Sequence, residues 1–428
     1  MLNNKNEREL VYVTLIDNIE PIIGSNNCEC AIVGGWHVMV RKGQFNVGDP
    51  AIYFEIDSKV PSTNPAFAFL EKRNYKVKTQ KFTFGGKGNF ISQGLLMHAE
   101  DFGWSIGYDT NDSSGNVPYI KDNKGEYHYV DGESRFLTKE LGVTYADDED
   151  NKRKAPSVDN NKKYQSMAAR NQKLFKTSVF RWLMRRDWGR KTLFFFFGKK
   201  KDTPKGFPTK FPYVKKTDQE RCENMVFVLK DKTPYIRTQK CDGSSGTFIL
   251  ERVKKNKFEF YVCSRNVRML RPDQKCFYGD SNYYWEVAIK YDIENKLKDY
   301  LNKHPELSYV CWQGEVCAPK IQSNAHKLTE THLYLFHMID SARGFYDIRE
   351  AKDIWESYNM EHVPIDDELY IMPDDFEELK ITADGYYDPS VCEGNVNVPR
   401  EGFVYYKSDD PNFSFKNVSR NYLLKHNN

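Results

Sequence analysis

The run Lys240-Cys241-Asp242-Gly243-Ser244-Ser245-Gly246-Thr247-Phe248 sets a lysine two residues ahead of an Asp-Gly turn, followed by small hydroxyl and glycine positions that lead into an apolar strand. An amine so placed is a candidate covalent nucleophile. Lysine is a poor nucleophile while protonated, so this chemistry predicts a Lys240 whose pKa is lowered, by desolvation or by positive charge nearby. The Gly-Ser-Ser-Gly stretch also lets backbone N–H groups approach a phosphate or ribose closely. The competing reading is a polar hairpin turn with a surface lysine. Average residue usage gives a K-x-D-G match roughly 0.1 times in a chain this long, so the four residues alone are only moderately specific.

More polar islands follow at the ends of apolar runs. Ser264-Arg265-Asn266 comes after 258–263, Gly314-Glu315 after Cys311-Trp312, and Glu401-Gly402 before 403–407. Phe413-Ser414-Phe415-Lys416 is followed closely by Leu423-Leu424-Lys425. Each is ambiguous alone, because a glutamate at a strand edge is far more often solvated than catalytic. The elements that must position them read as strands over 225–229, 246–252, 258–263, 309–314, 331–337 and 402–406, with helical stretches over 283–298 and 348–358. That alternation predicts an α+β domain.

Upstream, 10–16, 31–33, 36–41 and 51–56 are short runs separated by glycine turns such as Gly34-Gly35 and Val47-Gly48-Asp49-Pro50, which predicts a small closed barrel. A second glycine cluster, Gly85-Gly86-Lys87-Gly88, follows Lys72, Arg73, Lys76, Lys78 and Lys81. Basic strands and loops of this kind favour an OB-fold over a purely structural barrel. The division expected is 1–145 as an OB-like nucleic-acid-binding barrel, 146–205 as a basic connection, and 206–428 as the second domain. Between 152 and 216 the only acidic residues are Asp159, Asp187 and Asp202, against Lys and Arg interleaved with Trp182, Trp188 and Phe194 to Phe197. Such a segment suits a polyanion, or is a solvated linker; apolar spacing predicts an amphipathic helix over 164–188.

Composition sets outer bounds. A chain of 428 residues exceeds one typical core, and 14% aromatic residues suffice for cores and base-stacking surfaces alike. Mean hydropathy of −0.71 and an N-terminus without an apolar run predict an intracellular, cytoplasmic protein with no membrane span or secretory signal. Nine scattered cysteines lack zinc-site spacing and read as reduced thiols.

Taken in order, the islands resemble the motif series of the lysine-dependent nucleotidyltransferases, the superfamily of ATP-dependent RNA ligases, DNA ligases and mRNA capping enzymes. Lys240-Cys241-Asp242-Gly243 resembles the family's K-x-D-G motif, Ser264-Arg265-Asn266 the motif after it, and Gly314-Glu315 its third. Tyr334-Leu335-Phe336 is similar to the aromatic motif, Glu401-Gly402 to the fourth, and Ser414-Phe415-Lys416 with Lys425 to the fifth. The segment Lys216-Thr217-Asp218-Gln219-Glu220-Arg221 resembles the family's lead-in. An OB module ahead of the catalytic domain, with no room for one after it, is similar to the RNA ligases of the Deinococcus and Naegleria type. The 146–205 connection is longer and more basic than that type needs.

This resemblance implies an ATP-dependent RNA ligase that joins 3′-hydroxyl and 5′-phosphate ends through a lysyl-adenylate and an AMP-capped RNA. It implies Lys240 as nucleophile, with Asp242, Glu315, Glu401 and Lys416 as further catalytic residues. Mg2+ or Mn2+ would be held by Asp242, Glu315 and Glu401, directly or through water. Nucleotide contacts would come from Lys240, Gly243, Arg265, Glu315, Phe336, Lys416 and Lys425. Phe336 would stack on adenine or be a core residue, Glu315 would bind metal or ribose, and Arg265 would meet ribose or the RNA terminus or form a structural ion pair. Partners would be RNA ends in nicked or broken RNA, with no membrane; oligomeric state is open, a monomer being the simplest expectation. The alternatives are a capping-type guanylyltransferase, a DNA ligase, or a non-catalytic RNA-binding protein.

Overall fold

The computed structural model describes residues 1–5, 7–86, 88–109, 117–146, 177–197, 205–272, 282–394 and 397–426. Period-two alternation builds the first unit. In strand Val11–Leu15, Val11 and Val13 join a cluster with Ile52, Phe54 and Phe67, while Tyr12 joins a second with Ala31, Val33, Trp36 and Tyr53. A strand covered on both faces is apolar throughout, which is why 10–16 reads as an unbroken hydrophobic run. It pairs antiparallel with Pro50–Phe54, which pairs with Leu95–Met97. Asn18–Pro21, Cys28–Val33 and Trp36–Arg41 form a meander, and Thr144–Tyr145 returns to pair with Ser58–Lys59.

The second unit holds two sheets. The larger has seven strands in the order Lys205–Gly206, Val267–Arg268, Lys257–Ser264, Ser244–Lys254, Tyr309–Cys317, His332–Asp340 and Gly344–Phe345, all antiparallel. The smaller runs Glu220–Arg221, Asp410–Val418, Gly402–Lys407 and Tyr235–Gln239. Helices Tyr283–Lys290, Ile293–Lys303 and Ile348–Ser357 bury Trp285, Leu297, Leu301 and Trp355 against Phe248, Trp312 and Leu335 of the larger sheet.

Two elements depart from expectation. The run 225–229 is not a strand but part of two 3-10 turns, Cys222–Asn224 and Val226–Lys230. Its burial has a spacing of three, Met225 and Val228 inside and Phe227 outside, which is the 3-10 period and not strand alternation. The helical stretch 283–298 is broken at Asp292, which adopts a left-handed φ of 50°. Of the helix expected over 164–188, only the last part falls within the described residues, where two helices stand, Ser178–Met184 and Asp187–Phe197. The rest of the basic connection lies outside them. Eight described cysteines are free thiols, all but Cys28 buried, and no described helix is long and apolar enough to cross a membrane.

The turn 222–224 joins the two units. Asn224 Oδ1 accepts from Tyr12 Oη (3.0 Å) and Trp36 Nε1 (2.6 Å), while its Nδ2 donates to Glu55 Oε1 (2.8 Å) and Glu220 Oε1 (2.9 Å). One amide thereby uses both its acceptor sites and both its donors across the seam. Beside it, Lys380 Nζ meets Glu223 Oε1 at 2.7 Å with both side chains about 1% exposed, and also donates to Val418 O (2.9 Å). Removing one partner of a buried pair strands the other charge. We predict that Lys380→Ala lowers the unfolding free energy by about 3–5 kcal/mol, whereas Lys380→Met combined with Glu223→Gln recovers most of it, as read by urea denaturation.

Candidate active site

Between the sheets lies a cavity of about 530 Å³ whose floor carries Lys240. The lysine follows directly on strand Tyr235–Gln239, and its N–H donates to Gly402 O (3.0 Å). Tyr387 fixes both backbones at this point, since its hydroxyl donates to Lys240 O (3.0 Å) and accepts from Glu401 N–H (3.1 Å). Two glycines are required by close approach. A Cβ on Gly243 would lie 2.5 Å from Val316 O and 2.9 Å from Glu315 Cγ, and one on Gly402, at φ 148°, would lie 2.1 Å from Asn417 O.

Lys240 Nζ donates to Glu401 Oε2 at 2.8 Å. Burial alone would push its pKa down, but the Glu401, Glu315 and Asp242 carboxylates outweigh burial and raise it above the ordinary lysine value. With the protein's own groups alone the amine is held as an ammonium ion; the lowering expected from positive charge would have to come from a cation beside these carboxylates. Lys240 in turn lowers the acids, but burial outweighs it. Burial first, then repulsion from Glu401 and Asp242, pushes Glu315 up to about 8, and burial also raises Glu401. Asp242 is anchored from three directions, its Oδ2 accepting from Tyr422 Oη (2.7 Å), its N–H donating to His326 Nε2 (3.0 Å) and its carbonyl facing Cys317 Sγ (3.7 Å). Because His326 Nε2 accepts, Nδ1 carries the proton and meets Val391 O (3.0 Å). Burial keeps that imidazole neutral, with its pKa lowered to about 4.

The same cavity also gathers cations. Asp218 is shared by Arg265 Nη2 (2.5 Å) and Lys416 Nζ (3.4 Å), and Arg221 Nη2 meets Asp57 Oδ2 of the barrel at 3.0 Å. Burial would raise the Asp218 carboxyl, but Lys416, Arg265 and Arg8 hold it well below the usual range. Lys416 is lowered to about 8, by burial and then by Arg8, Arg221 and Lys240, despite Asp218. The lysine with the depressed pKa is therefore Lys416. A third, apolar patch of the lining is formed by Phe336, half-buried, with Val363, Val404, Tyr406 and Leu423.

Thus Lys240, Asp242, Gly243, Arg265, Glu315, Phe336, Glu401 and Lys416 all line one cavity. Lys425 does not: it is exposed on helix Arg420–His426, whose Tyr422, Leu423 and His426 face the cavity instead. Sequence reading gave no role to Asp57, Tyr145, Asp218, His326, Tyr387 or Tyr422. Asp218 lay within the lead-in segment; for the others no local signal existed.

The donor set suits a hard divalent cation. Buried carboxylates forced toward protonation by each other are relieved by positive charge, and oxygen ligands are what Mg2+ or Mn2+ takes. Among the described residues, Asp242, Glu315 and Glu401 are not one of the groups whose ligand atoms all lie within 4.8 Å of one another.

Comparison with known proteins agrees with this architecture. Residues 233–419 match the RNA ligase family profile, and residues 10–98 match an OB-fold domain. Naegleria gruberi RNA ligase with PPi superposes at TM-score 0.67 and 23% identity, covering 98% of this chain and 99% of that one. A mutant of the same ligase with ATP and Mn gives TM-score 0.67 at 24% identity, over 98% and 100% of the two chains. Another mutant, with AMP and Mn, gives 0.65 at 23%, over 98% and 99%. No curated protein sequence matches significantly. The fold is thus an N-terminal OB-fold domain followed by a ligase-type nucleotidyltransferase domain.

The Lys416 shift fixes a pH dependence. Its folded pKa of about 8 lies below the unfolded value near 10.5, so between these pH values the unfolded chain binds more protons and stability rises with pH. The stabilisation is present above the unfolded pKa and lost as pH falls through about 8. Between pH 7.5 and 10, urea unfolding should show wild type gaining about 2–3 kcal/mol relative to Lys416→Met; parallel profiles would contradict it.

Proposed function

We propose that this chain, an RNA ligase-family domain behind an OB-fold domain, is an ATP-dependent RNA ligase that joins 3′-hydroxyl to 5′-phosphate ends. The observation that carries this reading is one amine, Lys240 Nζ, set 2.8 Å from Glu401 in a cavity that also gathers Asp242, Glu315, Arg265 and Lys416. Support for ATP and a divalent cation comes from the likeness to a ligase whose structures are described with ATP, AMP and Mn. We assign 1–145 to the OB-fold domain, 146–205 to the basic connection and 206–428 to the catalytic domain.

Three displacements at phosphorus follow. Lys240 Nζ attacks the α-phosphorus of ATP, forming a P–N bond as pyrophosphate leaves. The 5′-phosphate of an RNA end then takes the AMP from lysine, and the 3′-hydroxyl of the other end displaces AMP to close the phosphodiester. Each is an in-line transfer in which the protein supplies position and charge. Glu401 holds the amine at the attacking position, and Tyr387 and Gly402 fix the backbone beneath it. Mg2+ or Mn2+, held by Asp242, Glu315 and Glu401 directly or through water, would supply the positive charge that offsets these carboxylates and favours the neutral amine.

Lys416 and Arg265 are placed to meet phosphate oxygens by exchanging Asp218 for them, and Gly243 lets backbone come close to the nucleotide. Phe336, with Val363 and Val404 opposite, is the stacking surface for adenine. We assign no nucleotide contact to Lys425, which points away. RNA ends in nicked or broken strands are the substrate proposed, with the chain acting as a monomer.

The test is transfer of label from α-labelled ATP to protein with Mn2+, resolved on a denaturing gel. Wild type should carry one AMP on Lys240 and Lys240→Ala none; label persisting in that variant would defeat the assignment. Labelled GTP should give no adduct, which separates this reading from a capping enzyme. Glu401→Ala should lower sealing of a nicked RNA at saturating ATP by at least about 100-fold.

A further inference from the structure

The largest concentration of exposed aromatic surface outside the cavity sits on the helices Ser178–Met184 and Asp187–Phe197. Trp182 is 48%, Trp188 54%, Phe195 75% and Phe196 71% exposed. Patches of this kind mark contact surfaces on soluble domains. The aliphatic groups face the other way, Leu193 buried and Leu183 and Met184 half-buried, so apart from Val179 the pair shows solvent chiefly rings and cations. Trp182 and Trp188 meet edge to face at 6.0 Å, and the Arg186 guanidinium lies 3.8 Å over the Trp182 ring. Arg185, Arg186 and Lys191 are exposed, and Asp187 is the sole acidic residue between 177 and 197.

The place of this pair in the chain decides what it is for. Before it, Tyr145 lines the cavity and pairs with Ser58, next to the cavity residue Asp57. After it, Lys205–Gly206 pairs with Val267–Arg268, and Phe207 N–H donates to the carbonyl of the cavity residue Asn266 (2.9 Å). The described residues that flank the pair in sequence, Tyr145 before it and Phe207 after it, thus both stand at the cavity. From residue 197 to 205 the chain spans at most about 29 Å, eight residues at full extension.

We propose that this helical pair is a landing surface for single-stranded RNA beside the end being sealed, with bases stacking on Trp182, Trp188 and Phe195 while Arg185, Arg186 and Lys191 neutralise phosphates. It rests on the RNA ligase reading. Rings plus cations with scarcely any acid form the combination that grips single strands without reading sequence. A lipid surface is the competing occupant; flanking residues at the nucleotide cavity favour the substrate.

The experiment uses the full chain and a 5′-phosphorylated 20-nucleotide single-stranded RNA. Trp182→Ala/Trp188→Ala should weaken binding fivefold or more, and Trp182→Phe/Trp188→Phe should restore it to within about twofold. Arg185→Gln/Arg186→Gln should reduce the slope of log affinity against log salt by about 1.4. Label transfer from ATP to Lys240 needs no RNA and should match wild type in every variant, which also reports an intact fold. Unchanged RNA affinity and salt slope would overturn the proposal. So would loss of binding to phosphatidylserine vesicles in the same variants with RNA binding intact. Absence of adenylate in wild type would instead sink the ligase reading, while the RNA titrations would still judge the surface.

Discussion

One amine surrounded by acids organises this molecule. Lys240 is half-buried, and desolvation would favour its neutral form, yet Glu401 at 2.8 Å, with Glu315 and Asp242, makes the ammonium the stable species. The acids are correspondingly uncomfortable, with Glu315 pushed up to about 8. Everything nearby keeps these groups from relaxing apart: Tyr387 ties the Lys240 and Glu401 backbones together, while Tyr422 and His326 hold Asp242.

That arrangement depends on contacts between distant parts of the chain. Asp218 joins Arg265 and Lys416, and Arg221 reaches Asp57 of the barrel. Arg8, also from the barrel, pairs with fully buried Glu55 at 2.5 Å and adds to the positive field that lowers Lys416. The OB-fold domain therefore forms part of the electrostatic wall of the nucleotide cavity. Asn224 ties the two units together with three hydrogen bonds to Tyr12, Trp36 and Glu55 of the barrel and a fourth to Glu220 beside it.

What could be read from the sequence follows from this difference in range. Lys240, Glu315 and Glu401 each stand beside a glycine or small residue at the end of an apolar strand, a local pattern visible without coordinates, and all three reach the cavity. Strand alternation likewise betrayed the barrel. Tyr422 and His326 left no such trace, because what gives them a role is a partner 180 or 84 residues away. Run 225–229 looked like a strand because five apolar residues carry no visible period, and its spacing of three emerges only when Phe227 is seen in solvent. Lys425 failed for a geometric reason: on a helix with Tyr422 and His426 inward, the residue at 425 faces out. The expectation for Lys240 counted desolvation and cations; the fold adds three acids, which keep the amine charged until further positive charge reaches them.

The cavity is divided by charge, and the division constrains what can enter. Asp242, Glu315 and Glu401 act on the amine, while Lys416, Arg265 and Arg221 pair with Asp218 and Asp57. A bare triphosphate would be welcomed by the cations and repelled by the acids, leaving Lys240 both protonated and out of reach. On the ligase reading, a triphosphate arriving with a divalent cation would satisfy both groups: phosphate oxygens would replace Asp218 against Lys416 and Arg265, and the cation would offset the carboxylates that otherwise hold the ammonium. The same event that binds nucleotide would thereby remove the reason the amine is charged. On that reading, nucleophile activation would be a consequence of loading, the neutral amine being favoured only once nucleotide and cation fill the cavity.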